Sequence, residues 1–471
     1  MSDLGWAHFG AQFHVALSQD LCIGIARVLL FQSFKMSHPA NLNGYFFDLK
    51  ARRIDMKDLL EVCCGLDVHK EMIAACLLSG SLGTEPKEEV REFSTLLSGL
   101  EEMRGWLKEN NCRDIAMEST GVYWFPIYNI LEAGAEEDFK FNITVANPYH
   151  MKNVPGKKTD IKDSRWIAGL LRAGLLEPSY IPPREIRELR DWTRYRRTLV
   201  QEMTGHKNRI EKQLQACGFK LSTVLTDIFG KTGMALIRKL CEAGSIEPGE
   251  ILNLLHGTAR KKLDVIRQAV NGRMDGHDRA FLSMLVRNYE QSLKEIEDVE
   301  KEIYACAQKY EASIALLETI PGISGMTAIT MVSELGTDLS MFPTSGHLCS
   351  WAGVVPGDNE SAGKKRSNRL KKGNPYVKCV ICQCAWAATR ARKNYLREWF
   401  CRLSKRRGMK KAVIALGHKL LVIVYNILTT GEAYDEERFA EVQKRVDESK
   451  KMKLIAQARK YGLILTNAAA T

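Results

Sequence analysis

Residues 62–70 read VCCGLDVHK, and this stretch decides the fold of the first part of the chain. Its apolar run, Val62 to Leu66, predicts a buried β-strand that ends at Asp67. A second short apolar run, Ile115 to Met117, predicts another strand that ends at Glu118. Active-site groups of open α/β sheets lie at the carboxyl ends of strands. Both acids are therefore candidates for one site.

A second pair of acids follows in KKTDIKD. Asp160 and Asp163 are three residues apart, just before the apolar positions of residues 166–171, so a helix puts both carboxylates on one face. Clustered carboxylates hold divalent metals, and phosphodiester chemistry uses such metals. The four acids together predict a Mg²⁺ site. Taken singly, each has the ordinary alternative of a turn former or helix cap.

The order of predicted elements is that of a ribonuclease-H-like fold, in which an α/β domain carries the acids. We expect strands at Val62–Asp67, Ile73–Leu78, Val90–Phe93, Ile115–Glu118 and Ile143–Ala146, and helices at Thr95–Lys108 and Trp124–Leu131. An all-α region follows this α/β domain. It begins after Pro182 and Pro183, which punctuate the end of the first domain.

The charge balance favours a polyanionic partner. The 471-residue chain carries 68 Lys and Arg against 56 Asp and Glu, which gives a formal charge of +12 and a pI near 9.0. An excess of cations on a soluble chain favours nucleic acid. Much of the excess positive charge lies in two clusters. For each cluster the alternative is an ordinary solvated face that binds nothing. The clusters are Lys364, Lys365, Arg366, Arg369, Lys371 and Lys372, then Arg402, Lys405, Arg406, Arg407, Lys410 and Lys411.

Cysteines and apolar runs bear on the compartment. The 13 cysteines are scattered and odd in number, which favours reduced thiols over a disulfide framework. Cys379, Cys382 and Cys384 lie in one helix-like apolar stretch, so core packing is favoured over zinc. No uninterrupted apolar run reaches eighteen residues, so we predict no membrane span and a cytoplasmic protein. Residues 1–55 are interpreted as an extension from an upstream start, because Met56 makes a compact beginning for the fold.

The middle of the chain, residues 183–312, reads as an arm. Apolar residues at three- and four-residue steps predict two long amphipathic helices, which pair as an antiparallel coiled coil. Such an arm dimerises or embraces nucleic acid; a plain spacer is the alternative. Beyond it, residues 320–325 read IPGISG, the helix-hairpin-helix pattern. Gly322 and Gly325 would let backbone N–H groups approach a phosphate, although a Pro-Gly turn between packed helices is common.

Six motifs carry a resemblance that covers the chain from about Leu60 to Arg392. They are GLDVHK, MESTGVYW, ANPYHMKNVPGKKTDIKD, IPGISGMTA, WAGVVPGDNESAGKK and KKGNPYVK, in this order. In order and spacing they resemble the DEDD transposases of the insertion sequence 110 family. The resemblance implies a RuvC-like (ribonuclease-H-like) domain, a coiled-coil arm and a mainly helical transposase domain with a nucleophilic serine. It also implies recombination guided by a structured bridge RNA.

Carried over by motif, the four acids of the family match Asp67, Glu118, Asp160 and Asp163, and its serine matches Ser361. Many relatives have a second serine before this one, where this chain has Glu360. The expected domains are 56–182 (RuvC-like), 183–312 (arm), 313–400 (transposase) and 401–471 (basic helical tail). The expected nucleic-acid contacts are Lys157, Lys158, Gly322, Gly325, Lys364, Lys365, Arg366, Arg369, Lys371 and Lys372.

The resemblance and the residues leave three classes of function. The first is a DNA transposase that forms a phosphoserine bond at Ser361, acting on element ends and target DNA as a dimer or tetramer. Its metal cluster and nucleophile would form a composite site between domains or between subunits. The second is a metal-dependent nuclease of the Holliday-junction resolvase type, in which water attacks. The third, disfavoured because all four acids are present, is a catalytically silent nucleic-acid-binding protein.

Overall fold

The computed structural model describes residues 58–119, 121–133, 139–147, 160–357, 359–361, 364–367, 369–391 and 394–462. The chain divides into two compact units, Met1–Ser179 and Tyr180–Thr471. The N-terminal extension predicted for residues 1–55 lies outside the described residues.

A mixed five-stranded sheet forms the centre of the first unit. Its strands are β1 (Val62–Val68), β2 (Met72–Ser79), β3 (Lys87–Ser94), β4 (Asp114–Glu118) and β5 (Asn142–Ala146). They lie in the order β3-β2-β1-β4-β5. Strand β2 is antiparallel to both of its neighbours, β1 and β3, whereas β4 is parallel to both of its neighbours, β1 and β5. The helices are α1 (Leu97–Glu109), α2 (Trp124–Ala133) and α3 (Asp160–Arg172). Each strand and helix predicted between residues 62 and 146 is confirmed, with ends that differ by a few residues.

Helix α3 packs across β1 and runs antiparallel to it. A Cβ on Gly65 would lie 2.3 Å from Ser164 O and from Ala168 N, so only glycine lets the helix backbone approach this closely. At the far end of α3, the side chain of Arg172 donates to the carbonyl of Glu61, and its Nε lies 3.0 Å from Oδ2 of Asp58. The last turn of α3 therefore lies at the start of β1, and its first turn at the opposite end.

The second unit opens with a long helical pair. Helix α4 (Arg184–Ala216) leads through four short helices to α9 (Gly276–Ala307), which returns along it. Gln213 donates to Asp278 at one end of the pair and Lys309 pairs with Glu185 at the other, so the two helices are antiparallel. The short helices are α5 (Leu221–Val224), α6 (Lys231–Ala243), α7 (Ile251–Leu254) and α8 (Leu263–Ala269). The prediction of two long amphipathic helices is confirmed; a coiled coil stays a prediction.

In the described residues after α9, the second unit consists of further helices and one hairpin. Its helices are α10 (Glu311–Glu318), α11 (Gly325–Leu335), α12 (Ser345–Trp351), α13 (Pro375–Arg390), α14 (Tyr395–Arg407), α15 (Met409–Thr430) and α16 (Glu436–Lys460). The hairpin consists of β6 (Asn359–Ser361) and β7 (Lys364–Ser367). By length and composition alone, α15 is the one helix in the described part of the chain that could cross a membrane. Its Leu416, Leu420 and Leu421 are fully buried in the core of this unit, which accounts for its apolar composition.

Candidate active site

Two of the predicted acids lie side by side at one edge of the sheet. Strands β1 and β4 are parallel neighbours, and their register pairs Leu66 with Met117. Asp67 and Glu118 are the next residues on the two strands, so their backbones are about 5 Å apart, the usual separation of paired strands. Long-range pairing thus joins two residues that are 51 positions apart in the sequence.

Both acids face the side of the sheet that α3 covers. Gly65 lies beneath the α3 backbone, and its partner Ala116 belongs to the core cluster that contains Ile167 and Ala168 of α3. Side chains on a strand alternate between faces, so residues two positions further on point to the same face. Asp67 follows Gly65, and Glu118 follows Ala116, by two positions.

The first turn of α3 brings the second pair of acids to the same end of the sheet. Ser164 lies level with Gly65, and Asp160 precedes it by four residues, about 6 Å along a helix axis. From Gly65 to Asp67 the strand advances about 7 Å in the same direction. The side chain of Asp163 is half-buried; that of Asp160 lies outside the described residues.

His69 is a neighbour of this site that the sequence analysis did not assign. Its Nε2 lies 3.2 Å from Oδ2 of Asp67, whose side chain is only 17% exposed. The His69 amide donates to Met72 O, which closes the turn between β1 and β2 and fixes the imidazole beside the strand end. The spacing Asp-x-His at a strand end was the available signal, because residues two apart on a strand share a face.

The side chains do not form a ready metal cage. Within the part of the chain that the structure describes, no group of three or more His, Cys, Asp or Glu side chains is arranged to hold a metal ion. The donors at this end of the sheet are nevertheless carboxylate oxygens, the ligands that Mg²⁺ prefers. Convergence of all four carboxylates on one ion stays a prediction, whereas Asp67, Glu118 and the first turn of α3 do share one end and one face of the sheet.

The predicted nucleophile, Ser361, ends the first strand of the hairpin in the second unit. In the hairpin register Ser361 is opposite Lys364, and Glu360 is opposite Lys365. The side chains of these residues and of Arg366 lie outside what the structure describes. Below the hairpin, Gly357 N donates to Arg369 O and Lys371 N donates to Val355 O, at 2.8 and 3.1 Å. The serine is thus carried at the tip of a backbone-paired stem.

Two glycines close the base of this stem. Gly353 has a φ of +71°, which favours glycine, and a Cβ on Gly373 would lie 2.3 Å from Gly353 N. The two chain segments therefore touch backbone to backbone at the point where they leave the core. After Gly373, the side chain of Asn374 accepts hydrogen bonds from the amides of Tyr376 and Val377, so the residue caps α13.

The helix-hairpin-helix segment joins α10 to α11. Gly322 has a φ of +93°, and a Cβ there would lie 2.5 Å from Ala388 N of α13. The close approach that this glycine permits is therefore to a neighbouring helix. Gly325 is the first residue of α11. Contacts of both glycines with nucleic acid stay predictions, and Lys157 and Lys158 lie outside the described residues.

Both predicted cationic clusters reach the surface of the second unit. Arg369, Lys371 and Lys372 are exposed on the returning side of the hairpin stem. Six exposed cations follow around the end of α14 and the start of α15, which a polyanion can reach. They are Arg402, Lys405, Arg406, Arg407, Lys410 and Lys411.

Helix α13 carries three cysteines, of which Cys384 is a core residue. The twelve cysteines in the described part of the chain are all free, and Cys384 is buried against its neighbours. Burial raises the pKa of the Cys384 thiol to about 12, so the thiolate that zinc needs is disfavoured. The prediction of core packing is confirmed for Cys384, and Cys382 packs against the same core, whereas Cys379 is half-buried.

Comparison with known proteins identifies the class. The transposase model DEDD_Tnp_IS110 matches residues 64–218, which contain all four acids. The model described as "Transposase IS116/IS110/IS902 family" matches residues 314–400, which contain the helix-hairpin-helix segment and the serine hairpin. The chain belongs to the insertion sequence 110 family of transposases.

Curated relatives agree with this family. The chain is 32% identical over 143 residues to "Transposase for insertion sequence element IS1111A" of Coxiella burnetii, covering 30% of this chain and 39% of the relative. It is 24% identical over 153 residues to "Putative transposase y4pF/y4sB" of Sinorhizobium fredii, covering 31% and 39%. It is 23% identical over 248 residues to "Putative transposase y4qE" of the same organism, covering 51% of each. The chain thus spans about half or less of the length of these relatives.

Proposed function

We propose that this chain is a DNA transposase of an insertion sequence, which cuts and rejoins DNA through a phosphoserine bond at Ser361. The observation that carries the proposal is the pairing of Leu66 with Met117, which aligns Asp67 and Glu118 at one end of the sheet. The acidic first turn of α3 lies at that same end. Family membership supports the same reading.

The first unit is, in this proposal, a ribonuclease-H-like domain that extends over residues 56–182. The strand order β3-β2-β1-β4-β5 supports that fold, as does the unit boundary after Ser179. Asp67, Glu118, Asp160 and Asp163 would hold Mg²⁺, which when bound supplies positive charge that stabilises a phosphate under attack. His69 is next to this set, because its Nε2 lies 3.2 Å from Oδ2 of Asp67.

The serine step is a transesterification. Ser361 Oγ loses its proton and forms a bond to phosphorus, while the bond from phosphorus to the sugar oxygen breaks and that oxygen takes a proton. One phosphoester bond replaces another, so attack by a second DNA hydroxyl can reverse the step without an outside energy source. Cations at Lys364, Lys365 and Arg366 would stabilise the charge that develops on the phosphate oxygens. A hydroxyl is a weak nucleophile, so this stabilisation is essential.

The polyanionic partners are DNA and, in this proposal, a structured bridge RNA. The charge of +12 and the exposed cations of the second unit support binding of both. Residues 183–312 would serve as an arm in a dimer or tetramer, 313–400 as the transposase domain, and 401–471 as a basic tail. Sequencing the RNA that copurifies with the protein tests the guide, and light scattering with that RNA tests the assembly.

The deciding experiment traps the covalent intermediate. The protein is incubated with element-end DNA, its copurified RNA and Mg²⁺, then denatured, and DNA-linked peptide is identified by mass spectrometry. We expect an adduct at Ser361 that is lost in Ser361→Ala and in Asp67→Asn, with DNA binding retained in both. Ser367→Ala, on the partner strand, is the matched control and should keep the adduct. Nicking of DNA that tolerates Ser361→Ala would instead support the nuclease with water as nucleophile.

A further inference from the structure

A buried acid lies where the long arm helix, the second helix of the hairpin motif and the serine stem meet. Glu334 is in the last turn of α11 and is 1% exposed. Arg194 of α4 grips it with two hydrogen bonds, Nε to Oε1 at 2.7 Å and Nη2 to Oε2 at 2.8 Å. Asn374 donates to Oε2 at 2.9 Å. A carboxylate at a helix C-terminus opposes the helix dipole, so these partners are what make it tolerable there.

Arg190 completes the cluster from the preceding turn of α4. It donates to the carbonyls of Ser333 and Glu334, at 3.1 and 2.8 Å, and so satisfies carbonyls at the end of α11. Desolvation lowers the pKa of Arg190. For Arg194 desolvation acts in the same direction, but the hydrogen bond and charge of Glu334 outweigh it and raise the pKa. The cluster is therefore a charged, geometrically fixed junction.

Asn374 connects this junction to the serine hairpin. Its side chain uses the amide group for Glu334 and the oxygen to cap α13, and its backbone amide donates to Trp351 O at 3.0 Å. The preceding residue is Gly373, which closes the base of the stem against Gly353. The ring of Tyr376, the second residue of α13, lies beneath the guanidinium of Arg194, with its centroid 4.0 Å from Cζ. The end of the stem is thus connected to Arg194 of α4 in two ways, indirectly through Glu334 and directly through the ring of Tyr376.

We propose that Glu334 is a positioning residue that fixes the base of the serine hairpin relative to the arm helix α4. The bidentate fork of Arg194 sets the carboxylate plane, and the second oxygen holds Asn374. A shift of α4 along its axis is passed to the stem, because Arg194 and Asn374 share one carboxylate. The inference rests on the proposed function only for its rate measurement.

Asn374→Ser tests the link without removing the helix cap. Serine caps helices about as well as asparagine but has no amide to donate to Glu334. We expect an unfolding midpoint close to wild type, unchanged affinity for element-end DNA and at least a fivefold lower rate of serine adduct formation. Glu334→Gln, which presents an amide to the Arg194 donors, should lower that rate at least tenfold. A defect in folding alone would lower both the rate and the DNA affinity, whereas a misplaced hairpin lowers the rate and leaves the affinity unchanged.

Glu300→Gln is the matched control. Glu300 of α9 accepts a hydrogen bond from Arg196 of α4, Nε to Oε1 at 2.7 Å. The change from glutamate to glutamine at this position should leave the rate of adduct formation unchanged. Hydrogen exchange gives a second readout that does not require activity. The amides of Gly357, Lys371 and Asn374 should exchange faster in Asn374→Ser and Glu334→Gln but not in Glu300→Gln.

The two readouts separate failure of this inference from failure of the proposed function. Wild-type exchange at the three stem amides in both variants overturns the positioning role, whatever the reaction is. A fall in DNA affinity that matches the fall in rate also overturns it. A wild-type protein that forms no adduct refutes the serine mechanism, while accelerated exchange at the stem still supports the junction.

Discussion

Replacing Gly65 with alanine should separate the acids of the first unit. A Cβ at this position lies 2.3 Å from Ser164 O and from Ala168 N, and both neighbours are backbone atoms that cannot rotate away. Favourable van der Waals contacts of a carbon atom begin at about 3.5 Å, so α3 must move away from β1 by about 1 Å. Overpacking of this kind costs about 1–3 kcal/mol of unfolding free energy. The same shift carries Asp163 away from Asp67 and Glu118.

The effect on activity should exceed the effect on stability. Misplacing a catalytic group by about 1 Å costs about a hundredfold in rate, and here the whole acidic first turn moves. Urea unfolding gives the free energy, and adduct formation on element-end DNA gives the rate. We expect a folded Gly65→Ala protein whose rate is reduced by about two orders of magnitude.

Gly169→Ala is the control on the same helix. A Cβ at Gly169 meets nothing within 4 Å, and alanine favours a helix over glycine by about 0.5–1 kcal/mol. This variant should be as stable as wild type or slightly more so, with an unchanged rate. A Gly65→Ala protein with wild-type stability and rate would refute the close packing of α3 on β1 and the reasoning built on it.

Three further predictions concern the core and the stem. Gly373→Ala places a Cβ 2.3 Å from Gly353 N, so it should cost about 1–3 kcal/mol in urea unfolding and abolish adduct formation; equal stability would contradict the contact at the stem base. Arg172→Met removes the Asp58 contact and the hydrogen bonds to the Glu61, Gly80 and Ser81 carbonyls. We expect thermal unfolding to show a free energy of unfolding lower by about 3 kcal/mol. The control Arg184→Met, at an exposed arginine, should leave that free energy unchanged. Burial raises the pKa of Cys63 to about 12, so the folded protein keeps the thiol proton, whereas the unfolded chain loses it above about pH 9. The unfolding free energy should therefore fall from pH 9 to 11, and it should fall less in Cys63→Ala. In the folded protein Cys63 should resist alkylation, while exposed Cys401 reacts.

Local sequence pattern predicted the elements of the first unit but not how they pair. Apolar runs such as Ile115 to Met117 are sufficient to predict a strand, because a strand buried on both faces excludes polar residues. The register that aligns Asp67 with Glu118 depends on contacts between residues far apart in the chain. The sequence suggested a shared site through the general rule for strand ends, through the order of the predicted elements and through the family motifs. His69 was not assigned to the site, because its position beside Asp67 depends on the turn between β1 and β2.

The second unit was harder to predict at its two most informative places. The hairpin of residues 359–367 has the strand sequences NES and KKRS, which carry no apolar alternation, so nothing local indicates strands. Glu334 is the one charged residue of the mainly apolar helix α11, and an acid is usually exposed. Its burial becomes intelligible only with Arg194 and Asn374, which are 140 and 40 residues away. A buried charge is decided by partners that periodicity cannot indicate.

Each candidate functional segment is packed against its neighbour at a glycine. Gly65 beneath α3, Gly322 against α13 and Gly373 at the stem base each bring two backbones into direct contact. Backbone contacts cannot relax by a change of rotamer, so a side chain added at any of these glycines must separate the two segments, whereas an isosteric change of a charged side chain leaves these backbone contacts in place. Substitutions of the acids and of the hairpin cations should therefore change rate with little change in stability, whereas substitutions of these glycines should change both. A set of variants in which rate and stability fall together at the acids would contradict this division.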